Sequence, residues 1–241
     1  MYNRNKNYQS TKFQQGFRGG IRKTGGRRSF KPTFNLAKLI NKATIVEEAE
    51  VYLAQHKFTD FKIDERLKKN IIDKGYEIPT PIQDKIINYI LNGQDVVGMA
   101  NTGTGKTAAF AIPLLDKATK NHKEKTLIMA PTRELAIQIE AELKSFSSGL
   151  GIQTVVCVGG APIGCQISAL HRPHHFVIGT PGRLKDLIDR RALNLADTGT
   201  VVLDEADRML DMGFVHDMRY ILNLMKAKRH TLFFWPPYRK R

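Results

Sequence analysis

An α/β fold, built on a parallel sheet with helices on both faces, is what this sequence predicts, and three observations carry the prediction. Short apolar runs alternate with longer segments of helical periodicity from Phe58 to Phe234. The runs are continuously apolar rather than alternating, as strands buried on both faces must be. The residues with the most chemical potential follow directly after those runs, and open parallel sheets bind ligands at the carboxyl ends of their strands.

Taken in order, the chain divides by composition. Residues 1–34 mix Arg, Lys, Gly, Asn, Gln and Ser with isolated aromatics such as Tyr2, Phe13, Phe17 and Phe30. Such a stretch cannot bury enough apolar surface to offset chain entropy, so it reads as a disordered basic tail. Residues 35–57 carry apolar side chains at helical spacing (Leu36, Leu39, Ile40, then Val46, Ala49, Leu53) and predict short helices leading into the core. Strands are predicted at Asp95–Ala100, Thr126–Ala130, Thr154–Val158, His175–Gly179, Val201–Asp204 and Thr231–Phe234. Helices are predicted between them, including Arg133–Phe146 and Arg183–Arg190. At 241 residues and 41% hydrophobic content, one sizeable core with appendages is expected.

Charge narrows the partners. The net charge is +15, yet the 46 residues from Met1 to Val46 hold 11 Lys/Arg and no acid, so the rest carries only +4. An excess of this size favours polyanions such as nucleic acid or an acidic membrane surface. Interleaved Arg, Gly and Phe, as in Phe17-Arg18-Gly19-Gly20, suit sequence-tolerant nucleic-acid contact. A solubilising tail and an organelle transit segment are the alternatives for this stretch. No run reaches the roughly 18 apolar residues needed to span a bilayer, and the N-terminus has no apolar signal core, so a soluble, cytoplasmic protein is expected. Cys157 and Cys165 are too few for a disulfide framework and lack His partners at zinc spacing.

The strongest local signal follows the first strand. Ala100-Asn101-Thr102-Gly103-Thr104-Gly105-Lys106-Thr107 reads as a phosphate-binding loop: its glycines admit backbone N–H groups to the phosphates, Lys106 adds charge, and the Thr107 hydroxyl can ligate Mg²⁺. The general pattern begins with Gly where this chain has Ala100. Further on, Val201-Val202-Leu203 delivers Asp204-Glu205-Ala206-Asp207 at a strand end. Asp204 is placed to hold Mg²⁺ through water, and Glu205 to orient and polarise an attacking water. A lone acidic pair would read as a solvated turn at a helix start; behind a phosphate loop it reads as phosphoryl-transfer chemistry.

Together these residues resemble the DEAD-box RNA helicases. Asp204 to Asp207 spells the family's name, and its phosphate loop also opens on Ala. The resemblance implies a RecA-like P-loop NTPase domain over residues 85–234, ATP and Mg²⁺ as ligands, and Asp207 among the nucleotide-site residues. Pro131-Thr132-Arg133-Glu134-Leu135-Ala136, Gly159-Gly160 and Thr180-Pro181-Gly182-Arg183 look like the family's RNA contacts in its first domain, implicating Thr132, Arg133, Gly160, Thr180, Gly182 and Arg183. Arg133 and Arg183 can pair with phosphates, and hydroxyls and N–H groups at helix starts bind the sugar-phosphate backbone without reading bases. Sequence-nonspecific RNA binding by a monomer is the expectation. Within residues 58–84, Gly75-Tyr76-Glu77-Ile78-Pro79-Thr80-Pro81-Ile82-Gln83 resembles the family's adenine-sensing Q motif. That likeness implies that Gln83 bonds the adenine edge and Phe58 packs on the ring. Taken alone, Gln83 reads as a surface amide and Phe58 as a core aromatic.

The resemblance ends at Phe234, where the family continues with Ser-Ala-Thr and this chain reads Trp235-Pro236-Pro237-Tyr238-Arg239-Lys240-Arg241. Deleting one C from codons for Ser-Ala-Thr-Leu-Ser-Lys yields Trp-Pro-Pro-Tyr-Arg-Lys, which suggests a frameshifted or artificially terminated reading frame. Residues 235–241 are therefore a divergent tail, with uncovered apolar surface expected near Phe233 and Phe234. Two function classes remain: an RNA-dependent ATPase and helicase in fragment form, and a nucleotide- and RNA-binding module without turnover. A DNA helicase or translocase is the more distant third.

Overall fold

The computed structural model describes residues 52–101, 103–226 and 228–236. The basic tail, the helical spacing over 35–51, Thr102 of the phosphate loop and residues 237–241 lie outside the described residues. After a 3-10 turn at Phe58–Asp60, the described chain runs α1 (Glu65–Asp73), α2 (Pro81–Leu91), β1 (Val96–Met99), α3 (Lys106–Lys120), β2 (Thr126–Met129) and α4 (Arg133–Phe146). It continues through β3 (Thr154–Cys157), α5 (Ile163–Leu170), β4 (Phe176–Gly179), α6 (Pro181–Asp189), β5 (Thr200–Leu203), α7 (Ala206–Asp211), α8 (Val215–Asn223) and β6 (His230–Trp235).

All strand pairs are parallel, and the sheet runs in the order β1-β6-β5-β2-β4-β3. Side chains alternate between faces along each strand. Ile128, Ile178, Val202 and Phe234 join the core under α1 to α4, with Leu67, Ile87, Phe110 and Ile139. Their neighbours Leu127, Met129, Val177 and Leu203 join the core under α5 to α8, with Leu184, Leu187, Met209 and Ile221. The predicted sheet covered by helices on both faces is present, with each strand end displaced by at most about a residue from its sequence-based bound.

Three expectations need correction. Tyr52–Lys57, the end of the predicted helical lead-in, is not helical. The Asp84 carboxylate takes this segment over, accepting bonds from the Tyr52 hydroxyl (2.7 Å) and the Gln55 backbone N–H (2.7 Å) and pairing with His56, while Leu53 is left 81% exposed. Strand β6 runs one residue past its predicted end at Phe234, because Trp235 is paired with Met99 and its carbonyl accepts a bond from the Ala100 N–H (3.1 Å). Pro236, which has no N–H to donate, follows that strand. Phe234 is not uncovered: it is fully buried, with its ring 5.3 Å from that of Phe110. The apolar surface left open lies beside Phe233, itself half-buried, on the edge strand where its register partner Val97 and then Met99 are 60% and 61% exposed.

Candidate functional site

Because every strand is parallel, the loops after β1, β2, β3, β4 and β5 emerge along one edge of the sheet. Strand order then sorts them. The phosphate loop and the Asp204 turn follow β1 and β5, which flank β6; the three candidate RNA loops follow the adjacent β2, β4 and β3.

The loop from Ala100 to Gly105 turns the chain from β1 into α3, whose first residue is Lys106. Gly105 caps that helix in a left-handed conformation (φ 85°, ψ 23°), where a side chain would be strained and its Cβ would strike the Gln83 amide. Asn101 and Thr104 close the turn, the Thr104 hydroxyl donating to the Asn101 carbonyl at 2.7 Å. Lys106 is buried, and its Nζ has no hydrogen-bond partner among the described residues. Thr107 sits beside it in the first turn of α3, half-buried.

Opposite lies the end of β5. Asp204 is buried and accepts the Glu205 N–H at 3.1 Å. Burial pushes its carboxyl up to about 6; the Glu205 and Asp207 charges push the same way, and the Lys106 ammonium pulls back. Glu205 occupies the left-handed region (φ 50°, ψ 49°), a conformation uncommon outside glycine that marks a constrained turn. Its carboxylate accepts a bond from Arg208 Nη1 at 3.1 Å. Asp207 carries a buried Oδ1 with no partner among the described residues. Glu205, Asp207, Arg208 and Pro236 line a cavity of about 240 Å³.

Buried polar atoms are ordinarily paired, so an unpartnered ammonium and an unpartnered carboxylate oxygen just after the ends of β1 and β5, on either side of β6, call for a ligand. An anion for Lys106 and a cation for the acids is what the pair demands, and a phosphate chelated to Mg²⁺ supplies both. The residues present fit that group: Lys106 and the α3 N-terminus for phosphate, Thr107 and Asp204 for the metal. A larger groove, about 750 Å³, runs beside Gln55, Asp84, Asn88, Tyr89 and Val97. The Asp84 carboxylate on its wall is already bonded on both oxygens, so it holds no comparable vacancy.

Gln83 is not the surface amide it reads as alone, and Phe58 is placed differently from the expectation that it packs on an adenine ring. Gln83 is buried at the start of α2 and its amide is bonded once at each end: Oε1 accepts the Thr80 N–H (2.9 Å) and Nε2 donates to the Gly105 carbonyl (3.1 Å). The Thr80 hydroxyl donates to the Thr104 carbonyl (2.9 Å), so α2 is fastened to the phosphate loop by two bonds. Each end of the Gln83 amide keeps capacity for one further bond, the second Nε2 hydrogen and the second Oε1 lone pair, so its bonds leave it able to meet an adenine edge. Phe58 is fully buried in edge-on contact with Phe61 and Tyr76 and presents no open face to a base. It is a core aromatic that supports the segment carrying Gln83. Thr80 was missed, although Thr80-x-x-Gln83 before a helix is a capping-box signature readable in the sequence.

On the other half of the edge, Thr132 caps α4, its hydroxyl oxygen accepting the Leu135 N–H at 3.3 Å. Arg133 follows, exposed, with Nη1 beside Gly160, where a Cβ would lie 3.0 Å away. Thr180 and exposed Gly182 begin α6. Arg183 departs from the reading as a phosphate ligand: it is largely buried, its Nη1 donates to the Ala161 carbonyl at 3.1 Å, and Asp186 is 4.0 Å from its Nε. Arg183 ties the Gly160 loop to α6, while Arg133 is the exposed cation of the set. Cys157 is buried, which pushes its thiol up to about 12, and Cys165 is exposed on α5. Among the described residues no helix is long and apolar enough to cross a membrane.

Comparison with known proteins places this geometry. The chain is 46% identical over 179 residues to the ATP-dependent RNA helicase CshA of Listeria monocytogenes, a match covering 74% of this chain and 34% of that protein. It superposes on the crystal structure of a DEAD box protein from the hyperthermophile Methanococcus jannaschii with a TM-score of 0.72 and 40% identity, over 76% of this chain and 50% of that one. A hypothetical ATP-dependent RNA helicase from Sulfolobus tokodaii gives a TM-score of 0.66 and 33% identity, over 72% and 50%. The chain thus spans between a third and a half of these relatives, and the shared part is a RecA-like α/β domain. The family model for DEAD/DEAH box helicases matches residues 80–234, a span that takes in both the phosphate loop and the Asp204 turn, and this chain belongs to that family.

Proposed function

We propose that this chain is the ATP- and RNA-binding half of an ATP-dependent RNA helicase, and that alone it turns ATP over slowly and separates no duplex. The observation that carries the reading is the pair of buried, unpartnered atoms, Lys106 Nζ and Asp207 Oδ1, in the helices that follow β1 and β5 on either side of β6. ATP is the substrate. Lys106 and the α3 N-terminus hold its phosphates, and Thr107 and Asp204 hold Mg²⁺, which when bound neutralises charge on the phosphates. Glu205 orients the attacking water and accepts its proton. Thr132, Arg133, Gly160, Thr180 and Gly182 contact the RNA backbone along the neighbouring loops, giving little sequence preference.

Slow turnover follows from what phosphoryl transfer needs beyond these residues: an arginine finger is worth roughly 10³–10⁵ in rate, and no described arginine lines the Glu205 cavity except Arg208, which is bonded to Glu205 itself. The second reading, a binding module without turnover, is favoured by the chain's covering only 34% to 50% of its relatives. ATP hydrolysis measured with and without single-stranded RNA, on this chain and its Glu205→Gln variant, separates the two. The expected result is weak RNA-stimulated turnover that falls at least about a hundredfold in the variant. Turnover equal in both proteins would remove Glu205 from the chemistry, and none in either would leave the binding module.

A further inference from the structure

We infer that Arg208 is a positioning residue for Glu205, holding the carboxylate toward the cavity where water must be activated; the inference rests on the reading of the site as an ATPase.

Glu205 is the N-cap residue of α7. A capping side chain that folds back onto the free N–H groups of the first turn is a short one, Ser, Thr, Asn or Asp, on extended backbone, which the longer Glu205 in the left-handed region is not. No cap bond from the Glu205 side chain is made. Instead Arg208, one turn along, takes a single oxygen, Oε2, at 3.1 Å. No other hydrogen bond engages the Glu205 carboxylate among the described residues. Oε1 is thereby left for a ligand, and the carboxylate stays in the wall of the cavity of about 240 Å³ that it shares with Asp207 and Pro236.

Stability does not account for the contact. The Arg208 side chain is 56% exposed, and such pairs three residues apart on a helix contribute only about 0.2–0.5 kcal/mol. Nor is the backbone free to re-aim the carboxylate, since Glu205 is fixed in a left-handed conformation between β5 and α7. With Arg208 removed, no hydrogen bond among the described residues holds the carboxylate in the cavity wall, and its side-chain rotamers are free to carry it away. Misplacing a reacting group by about an ångström can cost up to about a hundredfold in rate, and partial occupancy of the right position costs less.

The test is steady-state ATP hydrolysis by the full chain and its Arg208→Ala and Arg208→Lys variants, with thermal melts of all three. Arg208→Ala should lower kcat on the order of tenfold while KM for ATP stays within about twofold and the melting point does not move. Arg208→Lys, which keeps a cation within reach, should recover part of the loss. An unchanged or raised kcat in Arg208→Ala overturns the inference, as does a loss that Arg208→Lys does not relieve. If the parent chain shows no hydrolysis at all, the ATPase reading falls and the inference with it; turnover in the parent matched by Arg208→Ala overturns the inference alone.

Discussion

Asp204 shows how one residue carries the conflict between folding and chemistry. Its carboxyl is pushed up to about 6 from an ordinary value of 3.8, chiefly by burial, so the folded chain holds that proton more tightly than the unfolded chain does. The sign follows directly: the ionised form costs stability above pH 6, and the cost disappears as pH falls through 6 toward 4. Asp204→Asn removes the charge and should therefore stabilise the metal-free chain at pH 7.5, by up to about 3 kcal/mol at roughly 1.4 kcal/mol per pH unit. The gain should shrink toward zero at pH 4. Thermal melts at the two pH values check this, and a destabilised variant at pH 7.5 would mean that the ionised carboxylate is already compensated by its surroundings. Groups whose ionisation is made costly by burial beside specific charges cluster at functional sites.

At the scale of elements, the strands and their order of chemistry were legible because parallel strands buried on both faces leave uninterrupted apolar runs, as in Val201-Val202-Leu203. The phosphate loop and the Asp204 turn were legible for a related reason: few residue types do that chemistry, and the glycine spacing is imposed by backbone geometry. Three features were not. The Arg183 guanidinium looks the same in sequence whether it reaches outward to a phosphate or inward to the Ala161 carbonyl, and only the packing of α6 decides. Phe58 is a core aromatic because Phe61 and Tyr76 close around it, a tertiary fact that periodicity does not encode. The lead-in at Tyr52–Lys57 loses its helix to Asp84, 28 to 32 residues away from its partners His56 and Tyr52. The packing of β1 against β6 also makes a sharp demand. A Cβ on Gly98 would lie 2.6 Å from the Phe234 ring, which is itself wedged against Phe110. Gly98→Val should therefore destabilise by more than about 2 kcal/mol through overpacking, read as a lowered urea midpoint. A midpoint within error of the parent would mean that Phe234 is free to move.

For the whole molecule, one edge of a six-stranded sheet carries the two proposed functions, nucleotide chemistry after β1 and β5 and polyanion contact after β2, β4 and β3. The bonds that fasten α2 to the phosphate loop, through Thr80 and Gln83, link the first of these to the rest of the domain. Every role assigned to this edge depends on the phosphate loop and the Asp204 turn forming one nucleotide site. Calorimetric titration of Mg²⁺·ATP into this chain and its Lys106→Ala variant tests that most directly. The account predicts binding that requires Mg²⁺, exceeds that of GTP, and is abolished in the variant; equal binding to both proteins, or none to the parent, would contradict it.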